Sequence, residues 1–433
     1  MARKPYQWPA NGTPAIIQQH SVAKHDVLRE DLVDYIQTLV VSPQQDQLRL
    51  TLVDGFAGGG VYVHDTTRQT IYGSPFTFLR AAESSAEILN LNRQKPLKMN
   101  IDYFFVEVDI NACASLQRTL ADQGYGSRIG QDIHLFNSSF ESKVDPILEF
   151  IAKKSPRSGR SIFLLDQYGY AEVPTSQIRK IFTALPAAEV ILTFNVDSFL
   201  TYASDSNTTK NTLADIGIPD VLRGRTIEDI KRNEKDWRLY IQSCLYRDLV
   251  EACGARYYTL FFIRTEGHGD YWLVHLSQHP RARDVMAHVH WNKNNHFIHY
   301  GGAGIDMFRV LGYSANRDNS FTGQGQFGFC FDDIAGESSV AALMQQLPQI
   351  IYARDDGLSF GELFATTCNL SPADSDHYKH ALERLVQHKK MMKQMSNMDE
   401  KQMERLSKNP SSFQPSQTKV KKGKGKGKGG FRF

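Results

Sequence analysis

Long apolar runs are missing from this 433-residue chain. No window approaches the about 18 apolar residues that a bilayer-crossing helix needs, and the opening Met1-Ala2-Arg3-Lys4-Pro5-Tyr6-Gln7 lacks the apolar block of a secretory signal. A globular protein of the cytoplasm, with no membrane partner, is the expectation. Cysteine is scarce: Cys113, Cys244, Cys253, Cys330 and Cys368 stand singly, with no C-x-x-C spacing to hold zinc or form a redox pair, so they read as buried thiols. A metal-dependent nuclease is disfavoured, because neither paired carboxylates nor an H-N-H-like set is apparent. Histidine is not scarce, and seven of the 14 fall between His268 and His299. His288, His290, His296 and His299 lack a firm carboxylate or cysteine partner, so polar surface or phosphate contact is expected of them, and no metal.

What is present is an ordinary supply of core material, 41% apolar and 11% aromatic residues, enough for two or three domains. The net charge of +3 conceals an asymmetry, because Thr418 to Phe433 carry six Lys and one Arg with no acid, leaving the rest of the chain net acidic. The Lys-Gly alternation from Lys421 to Gly430 offers charge without structure. It suits a phosphate backbone without reading its sequence, with solubility as the competing account.

Residues 1–14 hold Pro5, Pro9, Gly12 and Pro14 and read as irregular, part of an N-terminal arm of residues 1–19. From Ser21, a plausible N-cap, to about Val40 the apolar positions Val22, Leu28, Leu32, Ile36 and Leu39 recur at helical spacing. β-rich runs follow at Leu48–Asp54, Tyr103–Val108, Ile133–Phe136, Ile162–Asp166, Val190–Asn195, Tyr257–Ile263 and Tyr271–Ser277. The first five alternate with helix-sized spacers, as parallel crossovers require. Only Arg264 to Asp270 separate the last two, which must form an antiparallel hairpin. Five parallel strands closed by one hairpin is the plan of the seven-strand class I methyltransferase sheet: an α/β, Rossmann-like fold with helices on both faces. Residues 196–256 exceed one crossover helix and suggest a cap inserted over the site. Residues 286–336 connect to a small α-rich module at 337–395 whose three short helices resemble a winged helix, and 396–433 read as a disordered basic tail.

The chemistry gathers at strand ends. Asp54 leads into a turn of Gly55, Phe56, Ala57, Gly58, Gly59 and Gly60, where small residues let a ligand approach the backbone and the acid can pair with an ammonium group. A glycine cluster alone also describes a flexible loop. One βαβ unit later Glu107 stands where a ribose diol would lie, or is a solvated strand-end acid. Asn137 and Ser138, with Ser139, could reach an adenine or cap the next helix. The run Leu165-Asp166-Gln167-Tyr168-Gly169-Tyr170 bears on reaction type. An acid or amide followed by an aromatic suits an exocyclic amine, with Asp166 as acceptor and Tyr168 or Tyr170 as stacking platform. The plain alternative is a buried Asp capping a turn with tyrosines packed beside it.

The run His20-Ser21-Val22-Ala23-Lys24-His25, then Val53-Asp54-Gly55-Phe56-Ala57-Gly58, Gly73-Ser74-Pro75 and Leu165-Asp166-Gln167-Tyr168-Gly169, together resemble the three-Cys-motif partner (TcmP) family of bacterial methyltransferases over about residues 20–285. The C-terminal module resembles the winged helix appended to some relatives. The resemblance implies S-adenosylmethionine as cofactor. It also implies that Asp54, Gly55, Phe56 and Gly58 shape the donor pocket, that Ser74 and Pro75 start the first sheet-covering helix as N-cap and N1, and that Asp166, Tyr168 and Gly169 line the reaction centre. Val61 to Gly73 should then be a loop near the donor sulfur. The family carries proline where this chain has Gly59 and Gln167, and losing it after Asp166 loosens a turn that would fix the carboxylate, unless Gln167 itself holds the amine. A related Asp-Pro-aromatic-Gly arrangement in guanine-N2 methylating transfer-RNA enzymes points to a nucleobase amine in DNA or RNA. Lys24 and His25 are substrate contacts or, more plainly, a solvated helical face. The rival function is an inactive partner or sensor subunit of a defence or modification complex that binds the cofactor or a nucleotide without transfer, with Gln167 as its support.

Overall fold

Strict alternation along the strands decides which side chains meet which helices. In β2 (Gln47–Asp54) Leu50 and Leu52 join one core while Val53 joins another, and β5 (Lys98–Glu107) repeats the split with Tyr103 and Phe105 against Phe104 and Val106. With β6 (Ile133–Asn137), β7 (Ser161–Leu165), β8 (Ala188–Phe194), β9 (Tyr257–Thr265) and β10 (His268–Ser277), these form a seven-stranded sheet in the order β6-β5-β2-β7-β8-β10-β9. The first five strands are parallel, and β10 runs antiparallel to both β8 and β9. This is the mixed sheet of the class I methyltransferases, reached by both the crossovers and the terminal hairpin anticipated above. The structure, a computed structural model, describes residues 6, 8–9, 13–17, 19–40, 42–167, 171–234, 237–265, 268–292, 303–305, 332–354 and 356–396. The chain divides into two compact units, residues 1–381 and 382–433.

One face of the sheet is covered by α1 (Gln19–Thr38), α2 (Ser74–Asn90), α3 (Ile110–Asp122) and α10 (Pro280–Asn292), through Leu32, Phe78, Leu116 and Met286 among others. The other is covered by α4 (Phe140–Lys154) and α5 (Thr175–Ala184), through Val144, Ile151, Ile178 and Ile181. The expected cap comprises α6 (Val196–Tyr202), α7 (Asn207–Ile216), α8 (Ile227–Asn233) and α9 (Trp237–Cys253). Its apolar side chains, Leu213, Ile216, Ile230 and Leu245 among them, enter the core on the α4–α5 face, so burying that stripe decides its place.

Several expectations are corrected. A strand not anticipated in the N-terminal arm, β1 (Ala15–Ile17), follows the stretch read as irregular, and α1 begins at Gln19, so Ser21 is inside the helix. Residues 61–73 are not a loop: β3 (Val61–His64) and β4 (Thr70–Tyr72) form a hairpin that β1 extends into a three-stranded sheet, order β1-β3-β4. Gly73, not Ser74, is the N-cap of α2, so Ser74 and Pro75 occupy its first turn. His290, expected on a polar surface, is fully buried on α10. Cys113, Cys253 and Cys368 are buried and Cys244 half-buried, while Cys330, His296 and His299 lie outside the described residues. Beyond α10 come α11 (Asp333–Tyr352), α12 (Phe360–Thr367) and α13 (Ser375–Ser396). No helix among the described residues is long and apolar enough to cross a membrane, and no cluster of His, Cys, Asp and Glu there could hold a metal ion.

Candidate active site

The strand order reverses at β2, which has β5 on one side and β7 on the other. A crevice opens outside the carboxyl ends of strands at such a switch point. Asp54 and Asp166 stand there. Asp54 is fully buried; its Oδ1 accepts from the Phe56 amide at 3.1 Å, and Oδ2 has no hydrogen-bond partner. Burial pushes its pKa up to about 7, against the pull of the Ser74 hydroxyl and Phe56 amide and with help from the charges of Asp166 and Glu107.

The turn after Asp54 is stitched to both neighbouring strands, Gly55 N donating to Leu164 O at 2.9 Å and Ala57 N to Val106 O at 3.0 Å. Gly58 and Gly60 have φ of +60° and +77°, where a side chain would be strained, and a Cβ on Gly55 would stand 2.8 Å from Leu165. On the outer side, a Cβ at Gly59 would overlap the buried Trp8 indole, which packs edge-on against Tyr62 with ring centroids 5.3 Å apart. Phe56 lies half-buried against the α4–α5 core.

Glu107 ends β5 beside this turn, its Oε2 accepting from Gly58 N and its Oε1 from Asp109 N, each at 2.8 Å. Burial raises its pKa while those amides oppose the rise. Asn137 Nδ2 donates to Glu107 O and Val108 O, both at 3.0 Å, and Ser138 Oγ pairs with Ser142 Oγ at 2.6 Å. These side chains brace the ends of β5 and β6, and Ser139 occupies the N-cap of α4 without a side-chain bond.

Asp166 follows β7. Its carboxylate receives Lys24 Nζ on both oxygens, at 2.6 and 2.7 Å, and Thr193 Oγ1 on Oδ1 at 2.7 Å. Lys24 and His25, expected on a solvated face, therefore turn inward from α1; the Lys24 side chain is 11% exposed. Burial, followed by the Lys24 charge, lowers the His25 pKa to about 4, and its ring is neutral. Gln167 is not placed to hold an amine. Its Nε2 donates to Thr193 O at 3.0 Å and its Oε1 accepts from Glu172 N and Val173 N at 2.9 and 3.1 Å. The buried amide clamps the turn that proline would otherwise fix. Tyr168, Gly169 and Tyr170 lie outside the described residues.

The structure thus brings Asp54, Glu107 and Asp166 to one rim. The first responds to the charges of the other two, and Tyr62 responds to all three. Thr193, Ser74 and Tyr62 were missed in the sequence, because each is an ordinary residue of a strand, helix or hairpin whose neighbours are set by register. The orphaned Asp54 Oδ2 and the glycine cradle fit the amino-acid part of S-adenosylmethionine, an ammonium-bearing ligand that needs close backbone approach.

Strand order and site together define a methyltransferase-type α/β domain followed by a helical module. A family model described as "GMT-like wHTH domain" matches residues 312–391. No curated protein matches the chain. Among solved structures, similarity extends to a possible exported protein from Bordetella parapertussis, with 13% identity and a TM-score of 0.25, covering 57% of this chain and 66% of that one. A putative S-adenosyl-L-methionine-dependent methyltransferase from Methanococcus maripaludis shows 8% identity and a TM-score of 0.25, with 64% and 97% covered. Magnesium protoporphyrin IX methyltransferase from Synechocystis PCC 6803 shows 12% identity and a TM-score of 0.20, with 58% and 84% covered. At such scores the class rests on the strand order of this sheet.

Proposed function

We propose that the protein is an S-adenosylmethionine-dependent methyltransferase acting on an exocyclic amine of a nucleobase in DNA or RNA, in line with its resemblance to the TcmP family. The observation carrying this reading is the convergence of Asp54, Glu107 and Asp166 at the switch point of the sheet. Asp54 and the turn Gly55, Phe56, Ala57, Gly58 and Gly60 hold the amino-acid part of the donor, and Glu107 takes the ribose diol. Asn137 and Ser138 border the adenine. S-adenosylmethionine supplies a sulfonium methyl, an electrophile that a neutral amine attacks without prior deprotonation. Asp166 accepts a hydrogen bond from the acceptor amine and aims its lone pair, with Tyr168 or Tyr170 as stacking platform and Gln167 as the clamp that fixes the turn. The winged-helix match and the basic tail support a nucleic-acid substrate.

A binding subunit without transfer drew its support from a turn loosened at Gln167. The three backbone bonds of that side chain remove the support. The test is calorimetric titration with S-adenosylmethionine, then transfer of labelled methyl to bulk DNA and RNA. Micromolar donor binding and incorporation abolished by Asp166→Ala are expected; a folded protein that binds no donor refutes the proposal.

A further inference from the structure

Two carboxylates share the rim of this site under opposite conditions. Asp54 is pushed up to about pKa 7, with burial as the largest cause. Asp166 meets burial as well, beside a small pocket that Lys24, His25 and Thr193 line together with Leu164, Ile191 and Met286, yet it is held below the ordinary carboxylate range. The difference is Lys24. Its ammonium bridges both oxygens at 2.6 and 2.7 Å from a helix 142 residues earlier in the sequence, and Thr193 adds a third bond. Among the described residues, the other titratable groups coupled to Asp166 include His25 from α1, Asp54 from β2 and Tyr62 from β3.

We propose that Lys24 is a positioning residue of the acceptor centre, whose ammonium, laid across both oxygens of Asp166, keeps that carboxylate an acceptor-only anion. The inference rests on the methyltransferase reading for its consequence but not for its content. An anion at this place holds only a group that brings a proton to it, an amine N–H or a hydroxyl. A protonated Asp166 would present a donor and hold a ring nitrogen or a carbonyl oxygen instead. Lys24 therefore restricts the acceptor to a group that carries an N–H or O–H, such as an exocyclic amine, and disfavours an unprotonated ring nitrogen. It also explains why a lysine sits inside a helix that faces the sheet, where an unpaired ammonium would be costly.

The test uses the full chain with Lys24→Met, Lys24→Arg, and Lys24→Met combined with Asp166→Asn. Infrared difference spectra of the carboxyl region between about pH 5.5 and 8.5 report protonated buried carboxyls without any turnover. Asp54 titrates in this window in every variant; expected in Lys24→Met is a second carboxyl beside it, absent from the wild type, from Lys24→Arg and from the double variant. In parallel, methyl transfer at saturating donor by Lys24→Met falls ~10-fold per pH unit below that new titration, while the wild type shows no such limb. A Lys24→Met spectrum identical to wild type overturns the inference, as does a new band that survives in the double variant. If the wild type transfers no methyl, the proposed function fails and the spectra still decide the role of Lys24. Should Lys24→Met not fold, Lys24→Gln, which retains a neutral hydrogen-bond donor but no charge, carries the same comparison.

Discussion

A carboxylate with a pKa of about 7 is a proton-linked receptor for a cation, and Asp54 is placed to be one. In the proposed function its ionised form pairs with the donor ammonium, so below neutrality binding would first expel a proton. S-adenosylmethionine affinity should rise with pH up to about 7 and then level, falling ~10-fold for each unit below. Calorimetry in buffers of different ionisation enthalpy should record proton release on binding at pH 6 and little at pH 8, and Asp54→Asn should bind weakly with no pH dependence. Affinity that is flat across the range would remove Asp54 from the donor site. Asp54, Glu107 and Asp166 were legible in the sequence because each closes a β-rich run, and parallel strands of one sheet present their carboxyl ends along one edge. Gln167 and Lys24 were not. The first was read as a lost proline, since nothing local shows that its amide reaches Thr193, Glu172 and Val173. The second was read as solvated, since helical periodicity does not say that position 24 faces a strand end rather than water.

Between α10 and the segment before α13 the contacts are polar and dense. Arg283 donates to Ser371 O and to Ala373 O, the latter at 2.7 Å, and Trp291 Nε1 donates to Pro372 O at 3.0 Å. At the centre Asp374 takes His377 Nδ1 on Oδ1 at 2.6 Å and His288 Nδ1 on Oδ2 at 3.1 Å, while Oδ1 also accepts the Asp376 and His377 amides at 3.1 Å. Burial alone would raise the Asp374 pKa, but His288 and His377 hold it far below the usual range, and the same bond raises His288 above 6.5. The raised histidine stabilises fully below pH 6.5 and loses that contribution as pH climbs through its folded value. The depressed acid contributes above 3.8 and loses it toward strong acid. Hydrogen-exchange protection of amides 374–378, corrected for intrinsic rates, should therefore drop as pH rises above 6.5. Asp374→Asn should flatten that dependence and cost about 1–3 kcal/mol in unfolding experiments. At this scale long periodic elements such as α1 were legible, and so was the terminal hairpin, whose strands extend to Thr265 and from His268. The hairpin β3–β4 was not, because strands of four and three residues beside glycines carry too few alternations to be told from loop.

Over the whole chain, charge is split between an acidic body and a cationic end. If nucleic acid is the substrate, deleting residues 418–433 should weaken its binding most at low salt. The slope of log affinity against log salt should flatten by about 0.7–0.9 for each cation removed that contacted phosphate. Donor affinity should stay unchanged, and fluorescence anisotropy across a salt series separates the two. An unchanged slope would confine the tail to solubility. A different long-range dependency joins the N-terminal end to the glycine turn. The Trp8 indole fills the space that any β-carbon at position 59 would need. A side chain at 59 and the indole at its present place are thus mutually exclusive in this geometry. The bare backbone at one site and the aromatic ring at the other are coupled, so that in this chain a side chain at 59 would have to displace the ring at 8.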